Sequence, residues 1–597
     1  MLITIAPFCL ASGILFPLLA ASLSGIPSQK KVRFAYGWES AGSLAGGIVY
    51  SFLLIFLFNS FKVLVLVLLT GVLFSIILYQ KSKWIMPAFL SITLLMAGVI
   101  LFRSHFYEKL IQSLYPGQIL VDTKETPFGR LDVTRSGEQL AFYENGNIIF
   151  TSGDTEHSEE TVHFPMALHQ NPKNVLILSG GFAGNIQEAM KYNPDNIDLI
   201  EINPGWADLV QDNLPLAFPE DQVTVYFMDG RRYVKQSNNT YDIIISDIPG
   251  PSTSQLNRYF TLEFFREVHL LMKPGAIFCL HLDAPANYLN APAENLHETV
   301  NSTLKMVFKN TLMIPGSSNY FLASDSLLDY EIVSRLQILQ LPNQYVSAFH
   351  LIDDSLVKMR AKMLLPESYT TSTTNTDLRP VAYKYHLLLW LDVHGSGVWI
   401  FSGVLLILSL ITWIFSSSLN KGLFITGFSG VSLEFIIILI IQSLYGYSYY
   451  LTGIIITLYM AGIAAGSLFF SGIVRNNMRV FLLLQLSLGI LCFALFPITV
   501  LASEIVLYDI LNLIMLSLIV VITGGLSGMI FSAATGISKL SISGTAATAY
   551  GADLAGSAAG ALLSSVYLVP ALGLINTCLI LGGLNIFNAF FVWLKQK

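Results

Sequence analysis

Apolar positions follow two different patterns along this chain. Runs of about 20 apolar residues, long enough to cross about 30 Å of hydrocarbon, fall near 3–24, 36–58, 61–80 and 84–103. They return near 396–415, 422–444, 450–473, 479–501, 505–533, 547–568 and 571–593. Eleven membrane-crossing helices are predicted, four before a stretch of ordinary globular sequence and seven after it. The first run lacks a basic leader and a clear small-residue cleavage site and is followed by Lys30, Lys31 and Arg33, so it reads as a retained helix.

Between the blocks the pattern shortens and alternates. Val175-Leu176-Ile177-Leu178 is the continuous apolar run of a strand buried on both faces. It runs into Ser179-Gly180-Gly181-Phe182-Ala183-Gly184 and then a helix, a turn that brings backbone NH groups and a helix N-terminus to a ligand. A second strand, Ile197-Asp198-Leu199-Ile200-Glu201, ends in a carboxylate 17 residues after Gly184, where nucleotide-binding sheets hold ribose hydroxyls. A third, Val223-Thr224-Val225-Tyr226-Phe227, leads to Asp229-Gly230, and a fourth, Tyr241-Asp242-Ile243-Ile244-Ile245-Ser246, delivers Asp247. Polar groups thus collect at one sheet edge, the edge where open α/β sheets bind ligands.

Composition agrees with this division. Of 597 residues, 53% are hydrophobic and 12% charged, about half the charged share of a soluble domain. Between 396 and 594 only eight are charged: Lys421, Glu434, Arg475, Arg479, Glu504, Asp509, Lys539 and Asp553. The organisation predicted is a transmembrane block at 1–104, an α/β domain at 118–330, a connecting segment at 331–392 and a second transmembrane block at 393–597. A net charge of -6 without a basic arm excludes nucleic acid as a partner. Cys9, Cys279, Cys492 and Cys578 stand singly in apolar segments and indicate neither disulfides nor zinc.

The membrane blocks also repeat. Ala35-Tyr36-Gly37-Trp38-Glu39-Ser40-Ala41-Gly42-Ser43-Leu44-Ala45-Gly46 matches Ala549-Tyr550-Gly551-Ala552-Asp553-Leu554-Ala555-Gly556-Ser557-Ala558-Ala559-Gly560, and Ser12-Gly13-Ile14-Leu15-Phe16 matches Ser527-Gly528-Met529-Ile530-Phe531. Glycines four apart, Gly42 with Gly46 and Gly556 with Gly560, are expected to admit a neighbouring helix. Glu434, Glu39 and Asp553 are intramembrane acids, Glu39 and Asp553 at equivalent repeat positions, and are candidates for a proton, cation or amine site or for groups that fix packing.

Several separated motifs resemble the spermidine synthases, polyamine aminopropyltransferases, and in particular their membrane-fused relatives. They are Phe142-Tyr143-Glu144-Asn145-Gly146, the acidic Asp154-Thr155-Glu156-His157-Ser158-Glu159-Glu160, His169-Gln170-Asn171-Pro172-Lys173, Glu201-Ile202-Asn203-Pro204, Asp229-Gly230, Asp247-Ile248-Pro249-Gly250-Pro251 and Leu256-Asn257-Arg258-Tyr259-Phe260-Thr261. Asn319-Tyr320-Phe321-Leu322-Ala323-Ser324 and Asn375-Thr376-Asp377-Leu378-Arg379-Pro380 resemble the membrane-fused group.

The resemblance implies a multi-pass α-helical membrane protein with an inserted class I methyltransferase-like (Rossmann-like) sheet, preceded by a small β subdomain. It implies that Gly180, Gly181 and Gly184 shape the cofactor turn, with Gly230 following Asp229. Glu201 would hold the ribose of decarboxylated S-adenosylmethionine, and Asp229 would accept from the adenine amino group. Asp247 would be the catalytic base that frees an amine to attack carbon beside a sulfonium. Glu159, His157 and Tyr259 are substrate-side candidates, and no metal is implied. The sequence departs from the family at Phe182 and Gly250, where amine-binding aspartates are usual, and at Ser158, where a histidine is usual. The acidic run reads as a solvated loop or a flap over the pocket.

Three functions stay open: aminopropyl transfer to an amine or polyamine; a transporter-like or sensory protein with a non-catalytic nucleoside-binding domain; and an S-adenosylmethionine-dependent methyltransferase acting on a membrane-associated substrate. The expected location is the inner (cell) membrane, with the lipid bilayer as partner and room for a homo-oligomer. Lys30, Lys31, Arg33, Lys81, Lys83, Lys421, Arg475, Arg479, Lys539, Lys595 and Lys597 fall on one side and Lys62 on the other. By the positive-inside rule the α/β domain then faces the exterior, whereas supply of a sulfonium nucleoside favours the cytosol.

Overall fold

Strand and core follow from the apolar runs. The computed structural model describes residues 2–79, 85–103, 106–214, 221–283, 289–347, 353–365, 373–394, 397–445, 449–469, 477–504 and 509–594; Lys81, Lys83, Arg475, Lys595 and Lys597 lie outside them. Strands β1 (Ile119–Thr126), β2 (Gly129–Ser136), β3 (Gln139–Glu144) and β4 (Asn147–Thr151) form an antiparallel meander in sequence order. The main sheet contains β5 (Asn174–Leu178), β6 (Asn196–Glu201), β7 (Val223–Phe227), β8 (Tyr241–Ser246), β9 (Met272–Leu282), β10 (Asn310–Pro315) and β11 (Asn319–Ser324).

Its order is β10-β11-β9-β8-β5-β6-β7. β5 to β9 run parallel, and β10 and β11 close one side antiparallel. The chain moves outward from β5 through β6 to β7, then returns to pair β8 against the other side of β5. The ends of β5 and β8 therefore flank the switch in winding direction, where such sheets open a crevice. Both strands are buried on both faces: Val175, Ile177, Ile243 and Ile245 enter one hydrophobic cluster, Leu176, Leu178 and Ile244 the other. This is the two-sided burial that the unbroken apolar runs require.

The acidic run is not a solvated loop. It begins the Thr155–Leu168 helix, and Ser158 through Leu168 are buried. Downstream, the Val381–His394 helix of the connecting segment packs on the Ala291–Lys305 helix. Ahead of it Asn375 donates to Asn257 Oδ1 and the Phe260 carbonyl at 3.1 and 2.9 Å. Arg231, buried, forms paired bonds with Asp377 and with Glu267 at 2.7 to 2.8 Å. Two distant motifs, 256–261 and 375–380, are thus one polar lock.

The long apolar runs all fold as helices in their described parts. Among the described residues, six helical stretches are long and apolar enough to cross a membrane, against eleven expected: Lys30–Leu57, Ser418–Gln442, Leu451–Leu468, Met478–Leu495, Leu511–Ile537 and Ile542–Leu594. The second helix starts at Ser28, ahead of its apolar run, so Lys30, Lys31 and Arg33 ride on its first turns. The last run contains a break at Gly573, whose φ of 82° leaves the helix where Leu574 N meets the Leu378 carbonyl of the connecting segment.

The expected glycine pair packs closely in one repeat only. Gly556 and Gly560 lie against the carbonyls of Phe424 and Phe428, leaving no room for a methyl. Gly42 and Gly46 face open space; in that copy Gly37 meets Ser467 and Leu468, and Gly47 meets Thr457. The neighbouring helix crosses a different face of Ser28–Val49 from the one the repeat suggests.

Candidate functional site

Four strand ends converge as the pattern requires. Ser179, Gly180 and Gly184 all have positive φ, 65°, 73° and 120°, so the turn after β5 is left-handed at three of six positions, a conformation glycine adopts without strain. A methyl on Gly180 would overlap the Asp247 carboxylate, and one on Gly181 would overlap Leu199. Gly184 passes over Ser158. The glycines set how closely the turn after β5 approaches Asp247, Leu199 and Ser158.

Asp247 is buried, with a polar partner on each carboxylate oxygen. Asn185 Nδ2 donates to its Oδ2 at 2.7 Å. His157 Nε2 lies 2.9 Å and His281 Nε2 3.1 Å from its Oδ1. His157 also faces the Tyr320 hydroxyl through Nδ1 at 3.4 Å. Burial favours a neutral Asp247, but His157 and His281 outweigh it and hold the carboxyl well below the usual range. For His157, burial opposes the charged ring, yet Asp247, with Asp154 and Glu160, raises its pKa to about 9.

Glu201, at the end of β6, is buried; burial and the nearby Glu144 push its pKa up to about 7. Its Oε1 accepts from Ile202 N at 2.9 Å. Asp229 is differently placed from the expectation. One oxygen caps the Gly230–Gln236 helix through Arg232 N at 2.9 Å. The other is paired with Arg258 and accepts from the Tyr259 hydroxyl at 3.0 Å. Arg258 and Tyr259 fill Oδ2, whereas Oδ1 accepts only from Arg232 N and keeps a lone pair for a further donor such as an adenine amino group. Arg258 also donates to the backbone carbonyl of Gln442, near the end of the Ser418–Tyr445 helix, at 3.0 Å.

Glu159 departs from its substrate-side role. Its carboxylate accepts from the backbone NH groups of Gln344, Tyr345 and Val346 at 2.6 to 2.8 Å, pinning that loop. Phe182 is buried in the core, and Gly250 faces the His386 ring of the connecting segment. Sequence reasoning missed His281, Asn185 and His386, and quoted Tyr320 in a motif without a site role; a histidine closing the otherwise apolar Ala276-Ile277-Phe278-Cys279-Leu280 run was the available signal.

Glu39 and Asp553, at equivalent repeat positions, are each held by a tyrosine of the other copy. The Tyr36 hydroxyl donates to Asp553 Oδ2 at 2.9 Å, and the equivalent Tyr550 hydroxyl donates to Glu39 Oε1 at 2.5 Å. The equivalent rings Phe16 and Phe531 stack on Tyr550 and Tyr36, with centroids 4.1 and 3.9 Å apart. Glu434 is buried on the Ser418–Tyr445 helix, one turn from Gly430, which packs against the Tyr459 hydroxyl.

The profile of the spermine/spermidine synthase domain matches residues 155–327, which contain β5 to β11, the glycine turn and Asp247. The chain carries a spermidine synthase domain. A polyamine aminopropyltransferase of Oceanobacillus iheyensis is 26% identical over 390 residues, covering 59% of this chain and 76% of the relative. That likeness reaches far beyond the domain itself. A polyamine aminopropyltransferase of Lachnospira eligens is 31% identical over 167 residues, 27% of this chain and 58% of the relative. The crystal structure of spermidine synthase from Thermotoga maritima aligns with a TM-score of 0.35 and 20% identity, over 41% of this chain and 88% of that one.

Proposed function

We propose that this spermidine synthase domain transfers an aminopropyl group from decarboxylated S-adenosylmethionine to an amine, and that it does so anchored to a cell membrane. Residues 118–330 would form the catalytic unit, 331–392 the connecting segment, and 1–104 with 393–597 the membrane part. The observation that carries the reading is Asp247: a buried carboxylate at the winding switch, touching the glycine turn at Gly180. A donor lying on that turn would present its propyl carbon to the edge where Asp247 stands, and a carboxylate there takes the proton that an attacking ammonium must lose. Glu201 is the residue for the ribose hydroxyls. Purified full-length protein given putrescine and decarboxylated S-adenosylmethionine should release methylthioadenosine and lose that activity in Asp247→Asn; no product at any amine concentration sinks the reading.

A second reading, ligand binding without transfer, is favoured by one specific contact. Arg258 pairs with one oxygen of the carboxylate that would read adenine and is tied to the end of the long apolar Ser418–Tyr445 helix. In that reading the domain reports a bound nucleoside to the membrane part. Retention of methylthioadenosine binding with no turnover, and its change in Arg258→Met, would support it.

A further inference from the structure

We infer that His157, Asp247 and His281 form a binding site for a divalent first-row transition ion of the Zn²⁺ or Fe²⁺ type. Two imidazoles and one carboxylate are a common donor set for such ions, leaving open positions for water or ligand. Among the described residues this is the one group of three histidine, cysteine or acidic side chains whose ligand atoms come so close, all within 4.8 Å.

The distances fit coordination. Two atoms each about 2.1 Å from one ion stand about 3.0 Å apart at a right angle and about 3.4 Å apart at the tetrahedral angle. The observed spacings from Asp247 Oδ1 are 2.9 Å to His157 Nε2 and 3.1 Å to His281 Nε2. The wider gap between the rings can close through His157, whose side chain is 28% exposed and is the way in.

His281 supplies an independent observation. It is only 6% exposed, and neither ring nitrogen makes an aligned hydrogen bond. Its Nε2 faces the Asp247 carboxylate at 3.1 Å off the hydrogen-bond direction; a metal on Nε2 would satisfy that nitrogen. Two of the three ligands are also braced from behind, as metal ligands are. Asn185 holds the second oxygen of Asp247 and Tyr320 faces the far nitrogen of His157, while the Asp283 carboxylate stands 3.8 Å from His281 Nδ1, beyond hydrogen-bond range.

The inference stands on this geometry and does not rest on the transfer reaction. The two meet at Asp247, since a carboxylate bound to a metal is withheld from an amine proton. An occupied site would therefore inhibit transfer.

The test uses full-length protein stripped with a chelator and titrated with Co²⁺ or Zn²⁺ alone, without nucleoside or amine. One equivalent of metal should bind, with the visible Co²⁺ bands of nitrogen and oxygen ligation. Binding should be lost in His157→Ala and His281→Ala, weakened about 10- to 100-fold in Asn185→Ala, and unchanged in His269→Ala. His157 is partly exposed, so its variant decides the matter if His281→Ala fails to fold. No stoichiometric binding, or binding that survives His157→Ala, overturns the site and leaves only a proton shared with the carboxylate. Turnover by the stripped protein is scored separately, so loss of one reading does not carry the other with it.

Discussion

Tyr36 and Asp553 are 517 residues apart in sequence and 2.9 Å apart as donor and acceptor. The duplicate pair, Tyr550 and Glu39, crosses in the opposite sense. Two copies of one motif thus recognise each other, and the acids are fixed by tyrosines of the other copy. Tyr36→Phe and Asp553→Asn should each lower stability in detergent by about 0.6–1.7 kcal/mol. The double variant should cost less than the sum, as a thermal-melt double-mutant cycle would show; full additivity would mean the bond contributes nothing.

Gly180→Ala combines a positive φ with overlap of Asp247. A left-handed non-glycine residue costs about 1–3 kcal/mol, and the displaced carboxylate adds to this. Lower thermal stability together with loss of methylthioadenosine binding is expected. Ala183, in the same turn but without a positive φ, provides the control: Ala183→Gly should retain binding.

Glu201 gives a pH dependence of defined sign. Its folded-state value of about 7 lies above the ordinary glutamate value, so protonation favours the fold. Its contribution to stability falls as pH climbs from about 4.3 to that value and is level beyond it. Ribose hydroxyls donate to the ionised form, so methylthioadenosine should bind up to about tenfold more tightly at pH 8 than at pH 6. Calorimetry on Glu201→Gln should show a flat profile between those pH values.

Much of this was legible along the chain, and what was not has a common cause. The strands around Val175 and Ile243 were visible because burial on both faces demands unbroken apolar runs. The glycine turn was visible because only glycine passes so close to Asp247. The use of Asp229 by Arg258, of Glu159 by the Gln344 loop, and of His281 by Asp247 depends on partners brought in by sheet order and by the connecting segment. A carboxylate at a strand end looks the same in sequence whether it awaits a ligand or already holds an arginine.

Arg231 illustrates the same point with an energy attached. Buried between Glu267 and Asp377, it joins the domain to the connecting segment. Removing one member of a buried ionic group costs about 3–5 kcal/mol because its partners stay behind uncompensated. Arg231→Ala should lower the melting temperature of the full-length protein markedly, and Lys should rescue it only in part, since it lacks the planar fork.

The charge distribution predicts a side for the domain. A reporter fused after residue 110 should register the exterior and one fused at the C-terminus the cytoplasm. The reverse result would place the domain beside the cytosolic nucleoside supply and strengthen the transfer reading.

Arg258 reaches both Asp229 at the sheet edge and the carbonyl of Gln442 near the end of the long apolar Ser418–Tyr445 helix. One guanidinium thus serves the strand edge and the end of the Ser418–Tyr445 helix at once, and its loss would leave the Asp229 carboxylate and the Gln442 carbonyl each short of a donor.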